Sequence, residues 1–201
     1  METQNKALEG YINHSGGAIG ADFYWGETGA KYGVVSNHYY HGEKTPYGNC
    51  EISDEVYDEG RYEVAKAANY NYGYKYKTMK NNLLIRNWAQ VKYSDAIFAI
   101  GHLAKPGEKL FPNQKEDTRV ATNAAVQGGT GYAVAMAILN NKPVYVFDME
   151  RNQWFSCINN KWEKTDTPIL TKNFAGIGSR NINDNGIKAI EEVYLKTINN
   201  G

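Results

Sequence analysis

The sequence predicts an α/β fold: a Rossmann-like parallel sheet with helices on both faces and a small antiparallel hairpin appendage. Three observations carry that reading. Short β-branched or apolar runs alternate with helical patterns along the whole chain, which builds βαβ units and therefore parallel strands. Three of those runs end in a glycine turn that opens a helix: Ser15-Gly16-Gly17-Ala18-Ile19-Gly20-Ala21-Asp22, Gly128-Gly129-Thr130-Gly131 and Gly176-Ile177-Gly178-Ser179-Arg180. The run Ala96-Ile97-Phe98-Ala99-Ile100 is apolar at every position, as a strand covered on both faces must be.

Residues 8–14 read as a short extended run entering the first glycine turn, with Asp22 as the N-cap of a three-turn helix through Phe23, Trp25, Ala30 and Tyr32 that stops at Gly33. Residues 34–40 form the next strand. Ser53-Asp54-Glu55 opens a helix carrying Val56, Tyr57, Tyr62, Val64 and Ala65, which the tyrosine-rich stretch 70–76 breaks into a loop. Leu83, Leu84, Trp88 and Val91 mark an amphipathic helix leading into the apolar strand at 96–100. Residues 102–127 are polar, charged and long for a loop inside a compact domain, so they are expected to be a flexible lid or binding loop. The second glycine turn precedes a helix through Ala133, Val134, Met136, Ala137, Ile138 and Leu139 and a strand at 144–147. Asn159-Asn160 signals a hairpin within an insertion at 149–166. The third glycine turn leads to a last helix that begins at Asn183 or Asp184.

With 201 residues the chain is one domain, 1–201. Its 22 Lys+Arg and 22 Asp+Glu cancel, which argues against a global attraction to nucleic acid, so a nucleic-acid partner is not expected without a local basic patch. No apolar run approaches the roughly 20 residues that span a bilayer, so no membrane partner is expected. Met1 to Lys6 carry no secretion signal, and Cys50 and Cys157 are too few for a disulfide framework; both point to the cytoplasm. The 16 tyrosines and 20 glycines suit either a surface that stacks a flat polar ligand or ordinary packing.

A parallel sheet lines up its glycine turns along one edge, where helix N-termini present amides with partial positive charge. The three turns therefore predict a nucleotide-like anion. None is a P-loop, because Gly42-Glu43-Lys44-Thr45 has Glu where a glycine must precede Lys; none is a dinucleotide fingerprint, because residues 16–20 read GGxxG.

The residues Ser15 to Asp22, Arg86-Asn87 with Ser94 to Gly101, and Gly128-Gly129-Thr130-Gly131 resemble the SLOG superfamily. That Rossmann-like group includes LONELY GUY nucleotide phosphoribohydrolases, DNA-uptake proteins of the Smf/DprA type and sensor domains for nucleotide signals. The likeness covers nearly the whole chain except 102–127 and 149–166. Many members place Gly-Ile-Gly-Ser-Arg first, whereas here Gly176 to Arg180 come last, so the chain reads as a circular permutation whose final helix returns towards Leu8. The chain also resembles uncharacterised bacteriophage proteins, which implies a host-cytoplasm location and sequestration of an immune signal.

The resemblance implies a ligand-binding set of Ser15, Gly16, Gly17, Ala18, Gly20 and Asp22, with Arg86, Asn87 and Gly101, then Gly128, Gly129, Thr130, Gly131 and Tyr132, and finally Gly176, Gly178, Ser179 and Arg180. Hydrolase members carry Pro-Gly-Gly-x-Gly-Thr-x-x-Glu; here Gln127 stands at the proline, Tyr132 at the threonine and Ala135 at the catalytic glutamate. The expected function is thus binding of a nucleotide-derived, ADP-ribose-like molecule without turnover. An N-glycosidic hydrolase using Asp22 or Glu27, and a single-stranded nucleic-acid binder, are the alternatives. No cofactor or metal is expected, since His14, His38, His41 and His102 lack ligand spacing, and the resemblance implies a homo-oligomer.

Overall fold

The computed structural model describes residues 7–44 and 46–200; the N-terminal reading of Met1 to Lys6, and Thr45 of the motif compared with a P-loop, lie outside them. In chain order the elements are β1 (Ile12–Ser15), α1 (Ala21–Lys31), β2 (Val35–Tyr40), β3 (Cys50–Glu51), α2 (Asp54–Tyr72), α3 (Asn82–Ile85), α4 (Asn87–Tyr93) and β4 (Ala96–Gly101). They continue with β5 (Leu103–Ala104), β6 (Ala125–Val126), α5 (Thr130–Leu139), β7 (Val144–Asp148), β8 (Gln153–Ile158), β9 (Lys161–Thr165), β10 (Asn173–Gly178) and α6 (Asp184–Asn199).

Eight strands form one sheet in the order β3-β2-β1-β10-β4-β7-β8-β9, parallel from β3 to β7 and antiparallel across β8 and β9. The fold is therefore the α/β class expected. The hairpin turns at Asn159 and Asn160, both at positive φ, and it extends the main sheet from β7. The final strand lies at the centre, between β1 and β4.

Side chains of β4 alternate between two cores, as period-two geometry requires. Phe98 and Ile100 join Trp25 of α1 and Tyr194 of α6, while Ile97 and Ala99 join Val64 of α2 and Met136 of α5. Helices α1 and α6 thus cover one face, and α2, α4 and α5 the other. Leu8 shares a cluster with Val193 and Tyr194, which brings the early chain against the final helix.

Local signals account for most boundaries. The Ser53 hydroxyl accepts from the Val56 amide to start α2, and Gly73 ends it in the left-handed conformation, three residues later than the expected break at 70. The Asn183 side chain caps α6 through the Gly186 amide. Asp22, expected as an N-cap, is instead in the first turn of α1: Gly20 is the cap residue and no side chain caps it. The single helix expected around Leu83 to Val91 divides into α3 and α4 at Arg86. Lys142 closes the C-terminal end of α4 by donating to the carbonyls of Val91, Lys92 and Ser94 at 2.6, 3.0 and 2.5 Å.

Residues 102–127, expected as a loop, have a neck in which β5 pairs antiparallel with β6, followed by a bridge between Lys109 and Val120. Arg119 lies over the Phe111 ring at 4.0 Å and over Tyr72 at 5.2 Å, and pairs with Asp117. Thr122 and Asn123 side chains donate to the Tyr70 carbonyl, so the segment is fastened to the end of α2.

The glycines of the second turn serve different ends. A Cβ on Gly131 would come 2.0 Å from the Val126 carbonyl oxygen, whereas at Gly129 the nearest atom is a Leu84 methyl at 3.9 Å. Gly131→Ala is expected to lower unfolding free energy in urea by about 1–3 kcal/mol, and Gly129→Ala to change it by less than about 0.5 kcal/mol. Equal losses at both positions would contradict this division.

Candidate functional site

Strands β1 and β10 hand the chain to helices on one face, while β4 hands it to α5 on the other. The direction of travel therefore reverses between β10 and β4, and a crevice opens at their carboxyl ends. Its volume is about 590 Å³. All three glycine turns contribute to it: Ala18 and Asp22 from the first, Gly128, Gly129 and Thr130 from the second, and Gly178, Ser179 and Arg180 from the third. Arg86, Asn87 and Gly101 complete the expected residues found in its lining.

The remaining expected residues stand behind that lining. Ser15 is fully buried and its hydroxyl accepts from the Gly17 amide at 3.3 Å. The backbone at Gly20 touches Ser179 and Arg180, Gly176 lies under the Trp25 indole and Gly131 under Val126, so these glycines permit packing. Gly17 faces the His38 ring. Tyr132 points into the core, where its hydroxyl is 2.6 Å from that of Tyr72. Ala135 is buried in the same core and is not part of the crevice wall. Glu27 lies outside the crevice, along α1.

Asp22 organises the floor. Its carboxylate accepts from Ala18 at 3.3 Å and from Gly178 at 3.2 Å, and the Gly16 amide also stabilises its charge. Burial dominates all the same and pushes its pKa up to about 6, with those amides and the Arg86 charge acting in the opposite direction. Within the first turn, the Gly16 and Ala18 amides are thus taken by Asp22, that of Gly17 by Ser15 and that of Ala21 by the Ser179 carbonyl. At the second turn, the Gly128 amide donates to Leu110, but those of Gly129 and Thr130 have no acceptor among the described residues. Free donors of the crevice thus include the amides at the N-terminus of α5, a helix of ten residues.

Two guanidinium groups join them. Arg86 donates one weak bond, 3.4 Å, to the Tyr39 carbonyl, and its buried Nε has no partner. Burial lowers its pKa, Asp22 raises it and Arg180 lowers it, which places both arginines in one electrostatic field. Arg180 is exposed and forms no ion pair among the described residues. Two cations, a helix N-terminus and one carboxylate of raised pKa leave the crevice short of negative charge at neutral pH. No group of three His, Cys, Asp or Glu side chains gathers to hold a metal among the described residues, and no helix among them is long and apolar enough to cross a membrane.

Several wall residues escape sequence reasoning. Gln90 follows Arg86 by four residues and so shares its helix face, a spacing that was there to be read. His102, Phe111 and Gln114 come from the 102–127 segment expected as a lid or binding loop, where no periodicity singles out individual residues, and Asn181 comes from the loop before α6. No family model matches this chain, and neither a curated protein nor a solved structure matches it.

Because its folded pKa lies above the usual 3.8, Asp22 binds its proton more tightly in the native state, so its contribution to stability is present below about pH 4 and is lost as pH rises through about 6. Carbon-detected titration is expected to show a carboxyl with a midpoint near 6 that disappears in Asp22→Asn. The variant should also lose the fall in stability between those pH values. A midpoint near 4 would refute the burial argument.

Proposed function

We propose that this chain binds a nucleotide-derived anion in the crevice between β10 and β4 and releases it chemically unchanged. The observation that carries the reading is the convergence of Arg86, Arg180 and the free Gly129 and Thr130 amides on one cleft at the reversal point of a parallel sheet. A volume of about 590 Å³ suits a ligand of nucleotide or ADP-ribose size. The resemblance to the SLOG superfamily supports the same class of ligand, and a last strand at the centre of the sheet is what a circular permutation of that architecture would produce. On this reading the protein sequesters or senses a signal, and the likeness to bacteriophage proteins extends the proposal to sequestration of a host immune nucleotide.

The position that matches the hydrolases' glutamate supports the reading without turnover. Ala135 lies in the core, so no carboxylate from that helix turn reaches a bound ribose. One observation favours the hydrolase as a second reading: Asp22 lines the crevice with a pKa of about 6, in the range of a general acid at neutral pH.

Protein denatured after purification, or after incubation with ADP-ribose or adenosine monophosphate, is expected to yield intact nucleotide by mass spectrometry. Arg86→Gln, Arg180→Gln and Gly129→Val should each weaken ADP-ribose binding by tenfold or more, since a charge-assisted hydrogen bond contributes about 1.5–3 kcal/mol. Unchanged affinity in all three variants rejects the site. Free base released by the wild type, and lost in Asp22→Asn, selects the hydrolase.

A further inference from the structure

A second cavity, about 220 Å³, lies on the other side of the first glycine turn. Its walls follow from two periodicities. Phe23, Gly26, Glu27 and Ala30 recur along one stripe of α1, and Ser36 and His38 lie on one face of β2. Tyr47 closes the outer end, with its ring centroid 6.4 Å from that of Phe23. Topology leaves this part of the sheet open: the chain leaves β2 through β3 and enters α2, which packs on the opposite face beside α4 and α5.

The polar groups in the cavity are arranged in a way that packing does not explain. His38 Nδ1 is buried without a hydrogen-bond partner, and burial together with the Arg86 charge lowers the pKa of the ring, so the imidazole is neutral at pH 7. A buried N–H without an acceptor is rarer than an unused lone pair. The proton therefore belongs on Nε2, at the ring edge that lies 3.7 Å from where a Gly26 Cβ would stand. Nε2 then offers a donor and Glu27 an acceptor over a floor that glycine leaves flat, with the Phe23 and Tyr47 rings at the rim, 40% and 50% exposed.

We propose that this cavity is a nucleobase subsite that takes a planar ring presenting a donor beside an acceptor, such as the amine and ring nitrogen of adenine. It rests on the reading of the main crevice as an anion site, since the two share the first glycine turn, in which Gly17 lines this cavity and Ala18 the other. One ligand with its phosphates at the α5 N-terminus and its base beside His38 spans that turn. The volume is below the roughly 300–1,000 Å³ of a site enclosing a whole drug-sized ligand, which suits a single ring system.

The test separates the two sites by using probes that carry one feature each. In wild-type protein, adenosine is expected to shift the His38 ring and Gly26 amide resonances, and pyrophosphate those of Gly129 and Thr130. N6,N6-dimethyladenosine, which lacks the amine donors, and ribose should bind at least tenfold more weakly than adenosine. Gly26→Leu fills the floor at a helical position where a Cβ makes only ordinary contacts, 3.6 Å from Ser36 and 3.7 Å from His38. It should keep or raise the melting temperature, abolish the adenosine response and leave pyrophosphate binding intact. Glu27→Ala should weaken adenosine by tenfold or more. Adenosine that leaves His38 unmoved, or equal binding of the dimethylated analogue, overturns the subsite while the crevice stands. Silence of Gly129 and Thr130 towards pyrophosphate instead removes the crevice reading. A dimer that dissociates in Phe23→Ser, with adenosine inert, assigns the cavity to a second copy and overturns the proposal.

Discussion

Between β1 and β10 the backbone ladder runs for only two residue pairs, Ile12 with Asn173 and Asn13 with Phe174, and beyond them side chains hold the strands together. The Asn13 amide accepts from the Gly176 N–H at 2.9 Å and donates to Ser36 at 3.2 Å, replacing the ladder bond that the diverging strands cannot make. One turn further on, the Asp22 carboxylate takes the Ala18 and Gly178 amides. One wall of the crevice depends on these bonds, which hold the first and third glycine turns beside each other, while the opening itself comes from the reversal between β10 and β4.

Holding the turns with a carboxylate has an electrostatic consequence. The anion that stabilises the backbone is buried and costly, and its nearest compensating charge is Arg86. Arg86 in turn is held at the junction of α3 and α4, where Gln90 on the same helix face approaches the Gly16 backbone beside it. The helix carrying both is secured at its far end by Lys142. Asp22 therefore balances part of the Arg86 charge, whereas Arg180 forms no ion pair and the Gly129 and Thr130 amides have no acceptor among the described residues.

The second cavity comes from chain routing. A helix following β2 on the α1 face would have covered Ser36 and His38, but the chain goes through β3 to α2 and packs against α5. The uncovered strand face meets a stripe of α1 in which Gly26 removes the side chain that would otherwise fill the gap. The half-exposed Phe23 and Tyr47 rings stand at the rim of the cavity.

Pattern alone determined the alternation of strands and helices, the all-apolar β4, the Asn159-Asn160 hairpin and the three glycine turns, because each rests on side-chain period or on backbone freedom at a few consecutive residues. Eleven of the residues expected at the site do line one cleft, since parallel strands place their following turns along a common edge. What the tertiary structure decided was the use of each residue. Gly129 and Gly131 stand two positions apart in the same motif, yet a Cβ on the first would make only an ordinary contact with Leu84 at 3.9 Å, and one on the second would come 2.0 Å from a carbonyl oxygen. Asp22 reads as a helix cap and instead bridges two turns about 150 residues apart in sequence, and Phe111 and Gln114 reach the crevice from a segment with no periodicity. Such roles depend on which atoms approach from distant parts of the chain, and local propensity carries no record of that approach.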